Sequence, residues 1–259
     1  MDNAIIAVKK YNPKQLFSVK YLYGKEFPVL NFLVPGLLPS GVNLVVGKPK
    51  TGKTNFVTNL ALALSYEGEF LGQKVEKANV LLLNLEDGER RLQHRLKTIT
   101  GDKPAPENFD YVCAASGIDG ILLIDKWLAK QEGRSLVIVD TLAKFRGMMK
   151  YNQNLYEYDY NSLQLFRELA EKYQATFLVV HHSRKAESED VLDCVSGSLG
   201  LSGAADNVFI LKKARGKSDV ELHVVGRDLE DQKLALKYNY PPPFGFLKLL
   251  PKQHLTIEH

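Results

Sequence analysis

Val42–Asn43–Leu44–Val45–Val46–Gly47–Lys48–Pro49–Lys50–Thr51–Gly52–Lys53–Thr54 decides the fold. An apolar run ends at Gly47. Just past Thr54, Phe56, Val57, Leu60, Ala61 and Leu64 recur at helical spacing. Between strand and helix stands Gly-x-x-x-x-Gly-Lys-Thr, the phosphate-binding loop pattern. Gly47 and Gly52 permit close approaches and backbone angles that a Cβ opposes. The loop's N–H groups then turn inward around a phosphate, and the helix start behind them adds partial positive charge. Lys53 is placed to reach the β- and γ-phosphates, and the Thr54 hydroxyl to bind Mg²⁺. Pro49 stiffens a loop that must hold one shape. ATP with Mg²⁺ is the expected ligand, held by Gly47, Lys48, Pro49, Lys50, Thr51, Gly52, Lys53 and Thr54.

Around this loop, short apolar runs alternate with helical patterns. Val80–Leu83, Tyr111–Ala115, Leu136–Val139 and Phe177–Val180 read as strands. Leu92/Leu96/Ile99, Ile118–Lys130 and Leu163/Phe166/Ala170/Tyr173 read as helices, with Trp127 assigned to the core. This alternation predicts a mostly parallel α/β sheet flanked by helices, its strands buried on both faces. Val208–Leu211 and Leu222–Val225 flank Gly216 and predict antiparallel strands added on the C-terminal side. Residues 144–158 and 183–203 are expected to be long loops. A tail is expected from Pro241–Pro242–Pro243. Residues 1–26 read as an N-terminal arm or lead-in, and 27–259 as the ATPase domain.

Composition narrows the class. The 259 residues are 45% hydrophobic, enough for a sizeable core, and the formal charge of +4 permits a nucleic-acid partner without requiring one. Cys113 and Cys194 form no metal or redox motif. No apolar stretch approaches a membrane span, and the N-terminus lacks the order of a signal peptide, so a cytoplasmic protein without membrane contact is expected.

In open α/β sheets ligands sit beyond the carboxyl ends of the strands. Four polar features fall there: the phosphate loop, Glu86, Asp140 and His181–His182. Asp140 closes Leu136–Val139 in a Walker B pattern and is expected to share the Mg²⁺ with Thr54. Thr141 follows it, so the catalytic carboxylate must come from elsewhere. Glu86, ending the preceding strand, is the expected base for the attacking water. Asp87 competes for that part, or else caps the helix that follows. Neighbouring strand side chains point oppositely, so one histidine faces the site. His182 is the choice, as a γ-phosphate sensor, against a purely structural His pair.

These segments occur in a fixed order: Gly47–Thr54, Leu85–Glu86–Asp87, Val139–Asp140–Thr141–Leu142, His181–Lys185, Ser196–Gly197–Ser198, Gly203–Ala204–Ala205–Asp206 and Gly226–Arg227–Asp228. The set resembles the RecA-fold ATPases of the RepA-type hexameric replicative helicases of plasmids and phages, over roughly residues 27–250. The resemblance implies a RecA-like fold, a homo-oligomeric ring with ATP between subunits, and movement along single-stranded DNA. It implies that Arg227 is an arginine finger reaching a neighbour's site. DnaB-type relatives carry a Lys two residues earlier, where this chain has Val225, which leaves Lys213 and Arg215 as substitutes. The resemblance points to central loops for DNA, with Lys144, Arg146, Lys150, Arg184 and Lys185 as candidates. Glu187, Glu189 and Asp190 oppose DNA in the second loop. The chain carries no recognisable primase or accessory domain, so replication loading factors or a primase become candidate partners. The alternative is a non-unwinding RecA-like ATPase that regulates DNA binding, recombination or replication assembly. A small-molecule phosphotransferase ranks third.

Overall fold

The computed structural model describes residues 16–26, 31–146, 154–183, 199–213, 219–227, 229–238 and 247–249. The chain divides into two units, Met1–Asn31 and Phe32–His259. In the first, helix α1 (Val19–Tyr23) is capped by Ser18, whose side chain accepts from the Tyr21 N–H at 3.1 Å.

The second unit opens with a small antiparallel hairpin, β1 (Phe32–Val34) and β2 (Leu38–Pro39). There follow β3 (Gly41–Gly47), α2 (Lys53–Ser65), a second hairpin of β4 (Glu69–Phe70) and β5 (Gln73–Lys74), and β6 (Asn79–Asn84). Next come α3 (Glu89–Thr100), β7 (Phe109–Val112), α4 (Gly117–Leu128), β8 (Ser135–Asp140), α5 (Leu142–Arg146), α6 (Leu155–Tyr173) and β9 (Thr176–His182). The last elements are α7 (Leu199–Ala204), β10 (Asn207–Lys213), β11 (Asp219–Gly226), β12 (Gln232–Tyr238) and β13 (Leu247–Leu249).

Nine described strands form one sheet in the order β13-β12-β11-β10-β3-β9-β8-β6-β7. From β10 to β7 every pairing is parallel, and β11, β12 and β13 extend the sheet antiparallel. Except for the edge strand β7 (Phe-Asp-Tyr-Val, partly exposed), the parallel strands are largely Val/Leu/Ile runs buried on both faces, as strands covered by helices must be. Helix α2 is buried along nearly its whole length, and Phe56, Leu60 and Leu64 join Leu211, Leu222 and Leu236 in one core. Register between β3 and β10 is pinned by a buried amide pair, Asn207 Nδ2 donating to Asn43 Oδ1 at 2.9 Å. A one-residue slip would separate these partners and turn apolar side chains to the wrong face. Among the described residues no helix is long and apolar enough to cross a membrane.

The structure corrects several expectations. Residues 144–158 are not one loop. Thr141 O accepts from the N–H groups of Lys144 and Phe145, starting α5, while α6 already begins at Leu155. Burial of Phe145 against Phe166 drives that turn, with ring centroids 5.0 Å apart. Trp127 is half-buried rather than core: its Nε1–H donates to Asp110 at 2.7 Å, while Ile121, Ile124 and Leu128 form the buried stripe of α4. The region after Tyr238 is not only a tail, since β13 pairs with β12. The β4–β5 hairpin has no counterpart in the sequence pattern; Leu71 (φ 51°) and Gly72 (φ 81°) supply the two positive-φ positions of its tight turn.

Candidate nucleotide and hydrolysis site

The parallel strands end together, so the polar residues at those ends share one crevice. Cα partners link Gly47 to His182, Asn84 to Asp140, and Asp140 to Val180. The phosphate loop leaves β3 and enters α2 through Gly52 in a left-handed conformation (φ 96°), with Lys50 also at positive φ (64°). A Cβ at Gly47 would lie 2.7 Å from Leu211 O and 2.8 Å from Thr51 Oγ1, so only glycine closes the loop this tightly. The Thr51 hydroxyl donates to Lys48 O at 2.9 Å and braces the turn.

Lys53 lies on the first turn of α2 with its ammonium folded back over the loop. Nζ donates to Gly47 O at 2.8 Å and Lys48 O at 2.9 Å. Burial lowers its pKa to about 8, against the opposing pull of Asp140 and Glu86. An ammonium has a third proton to give, and a phosphate oxygen is the natural acceptor.

Asp140, at the end of β8, is 2% exposed. Burial pushes its pKa up to about 6; a hydrogen bond with the Thr54 side chain works the other way. Its Oδ1 is buried without a hydrogen-bond partner among the described residues. A buried carboxylate oxygen with no proton donor, beside a threonine hydroxyl, is the donor set Mg²⁺ takes when phosphate oxygens and water complete its octahedron. Asp140 and Thr54 therefore fit the metal expected of them. The Asp140–Thr141 peptide is cis.

Glu86 and His182 meet. His182 Nε2 lies 3.1 Å from Glu86 Oε2, and both side chains remain partly open to solvent. His181, the neighbour on β9, is buried, so the alternation that selects one histidine operates as expected. Asp87 does neither thing expected of it. The residue capping α3 is Gly88, without a side-chain cap bond, and the Asp87 carboxylate instead takes Arg91 (3.2 Å) and Arg95. Ion pairing therefore removes Asp87 from competition as a base.

Arg95 is the residue that sequence reading passed over: it is 6% exposed, and its charge acts on Asp140 as well as on Asp87. Its sequence signal is weak: Asp87 lies in the turn before α3, and Arg91 and Arg95 follow one turn apart on that helix, one exposed and one buried.

Arg227, expected to reach a neighbouring subunit's site, lies away from this chain's own phosphate loop. Gly226 pairs with Asn207, which in turn pairs with Asn43, at the start of β3. Four strand steps of about 3.3 Å, roughly 13 Å, separate that level from Gly47. The Arg227 guanidinium donates to Gly203 O at 2.9 Å, and its backbone N–H to Asp206 O at 3.1 Å. Lys213 ends β10 at the other end, two residues past the Leu211–Gly47 pairing. Lys150, Arg184, Lys185, Glu187, Glu189, Asp190, Ser196, Gly197, Ser198, Arg215 and Asp228 lie outside the described residues.

A parallel sheet with this loop, this strand-end aspartate and antiparallel C-terminal strands defines a RecA-like P-loop ATPase. The chain belongs to the AAA domain family, whose pattern matches residues 11–188. Two solved structures share its fold. One is a separately solved ATPase domain: TM-score 0.62, 16% identity, covering 77% of this chain and 81% of that one. The other is a DnaB-like replicative helicase studied with primase: TM-score 0.67, 16% identity, covering 85% of this chain. This chain spans 62% of that helicase's length. No curated protein matches the chain.

Proposed function

We propose that this ATPase is a motor on single-stranded DNA of the replicative helicase type. It works in the cytoplasm as a ring of identical subunits, hexameric as in the RepA type, with ATP between neighbours. The observation that carries this reading is the Glu86–His182 contact. It ties the proposed base for hydrolysis to the end of β9, which in sequence precedes residues 184–203, the expected DNA segment. One side-chain pair thus links the state of the γ-phosphate to that segment. The similarity of fold to DnaB-like helicases supports the same reading.

In the proposed mechanism Glu86 orients a water and takes its proton as the oxygen attacks the γ-phosphorus. The bond to the β–γ bridging oxygen breaks, releasing ADP and phosphate. Lys53 and the loop amides stabilise the charge that develops. His182 fixes the Glu86 carboxylate and senses loss of the γ-phosphate. Asp140 and Thr54 hold Mg²⁺, which when bound neutralises charge on the phosphates. Arg227 is already committed to Gly203 O, so we assign the arginine finger to the β10–β11 connection, with Lys213 and Arg215. A loading factor or primase is the expected protein partner.

The test is ATP hydrolysis against protein concentration, with and without single-stranded DNA, using Lys53→Ala as the blank. Steep concentration dependence and DNA stimulation, both lost in Arg215→Ala and largely kept in Arg227→Ala, are expected. Hydrolysis indifferent to DNA and to concentration refutes the motor and favours a regulatory ATPase.

A further inference from the structure

The turn that presents Glu86 is held from three sides. Before it, the Leu85 N–H donates to Asp140 O at 2.7 Å, fastening the end of β6 to the end of β8. After it, Asn84 Nδ2 donates to Asp87 O and closes the turn on itself. The third hold is the ion pair between the Asp87 carboxylate and Arg95, a guanidinium 7% exposed on α3. Arg91, the other partner of Asp87, is 77% exposed and adds little in water. The Glu86 carboxylate itself meets His182.

We propose that Arg95 is a positioning residue for hydrolysis: acting through Asp87 from beneath the site, it fixes the turn that aims Glu86 at the attacking water. This rests on the reading of Glu86 as the base. The contact is a single charge-assisted bond from Arg95 Nη2 to Asp87 Oδ2, and the planar, permanently charged guanidinium directs it more rigidly than a lysine ammonium on its flexible stem would. Its burial keeps water from competing for Asp87.

The experiment is a double-mutant cycle on kcat and on affinity for a fluorescent ATP analogue, with Asp87→Asn, Arg95→Gln, the double variant, Arg95→Lys and Glu86→Gln. An error of about 1 Å in a catalytic group costs on the order of 10²-fold in rate. Asp87→Asn and Arg95→Gln should each lower kcat by about 10- to 100-fold with analogue affinity within about threefold of the parent. The double variant should be no worse than the worse single, and Arg95→Lys should recover part of the loss. Retained analogue binding shows that each variant is folded, and the double variant carries no unpaired buried charge.

Full kcat in Asp87→Asn beside a slow Arg95→Gln would overturn the inference, because Arg95 would then act directly on Asp140 or phosphate. Losses that multiply in the double variant would overturn it too. If Glu86→Gln hydrolyses ATP normally, the base assignment itself fails, a result distinct from an inactive Glu86→Gln with unaffected Asp87 and Arg95 variants.

Discussion

The two ends of the sheet treat charge in opposite ways. At the phosphate-loop end, Lys53 is buried over carbonyls with its pKa lowered, and Asp140 is buried with its pKa raised and one oxygen unpartnered among the described residues. At the far end Asp206 is fully engaged. Its Oδ1 accepts from Arg167 at 2.8 Å and its Oδ2 from the Val42 N–H at 2.8 Å. Arg167 also donates to Ala204 O, and Arg227 to Gly203 O, so two guanidiniums close the C-terminal carbonyls of α7. The far end spends its charges on holding the fold. The near end keeps them in reserve for a phosphate and a metal ion, at a cost in stability.

Exchanging the fates of these charges tests the contrast. The largest expected effect is on rate: Glu86→Gln should lower kcat by about 10²- to 10⁴-fold while ATP analogue binding persists, as single-turnover assays with a binding titration will show. Near-normal turnover would remove Glu86 from the mechanism.

Next is Asp206→Ala, which leaves Arg167 and the Val42 N–H without their carboxylate. The expected cost is about 3 kcal/mol of folding stability, read from denaturant midpoints. A change below about 1 kcal/mol would show that the far end is not the structural one.

Asp140→Asn should do the reverse, ending hydrolysis yet stabilising the nucleotide-free protein. The folded pKa of Asp140 lies above the unfolded value, so its ionisation opposes folding at pH above about 6, and that penalty fades as pH falls toward 3.8. A shift from 3.8 to about 6 sets a ceiling of about 3 kcal/mol on the gain at about pH 7.5. A lower melting temperature in the variant would contradict it.

The smallest effect is a proton. Lys53 is near half-ionised at about pH 8, and bound phosphates will favour its charged form. ATP binding at that pH should therefore take up about half a proton, measured calorimetrically in two buffers of different ionisation enthalpy. No uptake between about pH 7 and 9 would mean that Lys53 is already fully charged.

The near end was far more legible in sequence than the far end. Gly47–Thr54, Asp140, Glu86 and His182 each follow an apolar run, and strand ends in parallel sheets converge whatever their order in the chain. Asp206, Arg167 and Arg227 come from three separate elements with no shared spacing, and only the strand order β11-β10-β3-β9 brings them together. In sequence, Arg227 stands out by resemblance alone; the structure adds its bond to the end of α7. Asp87 was read as a cap or a base because its arginines lie on the next helix, where register decides which side chain turns inward. β12 escaped notice because its alternation, Lys233–Leu234–Ala235–Leu236–Lys237, is short and flanked by polar residues.

The position of β3 also bears on when the protein becomes competent. Its two neighbours in the sheet are β9 and β10, and the Asn43–Asn207 bond spans 164 residues. The strand carrying the phosphate loop leaves the ribosome before either of its sheet neighbours has been made. Closing so long a loop makes the central pairing a late event. A nascent chain stalled before β9 would display the complete Gly47–Thr54 sequence and still hold no nucleotide.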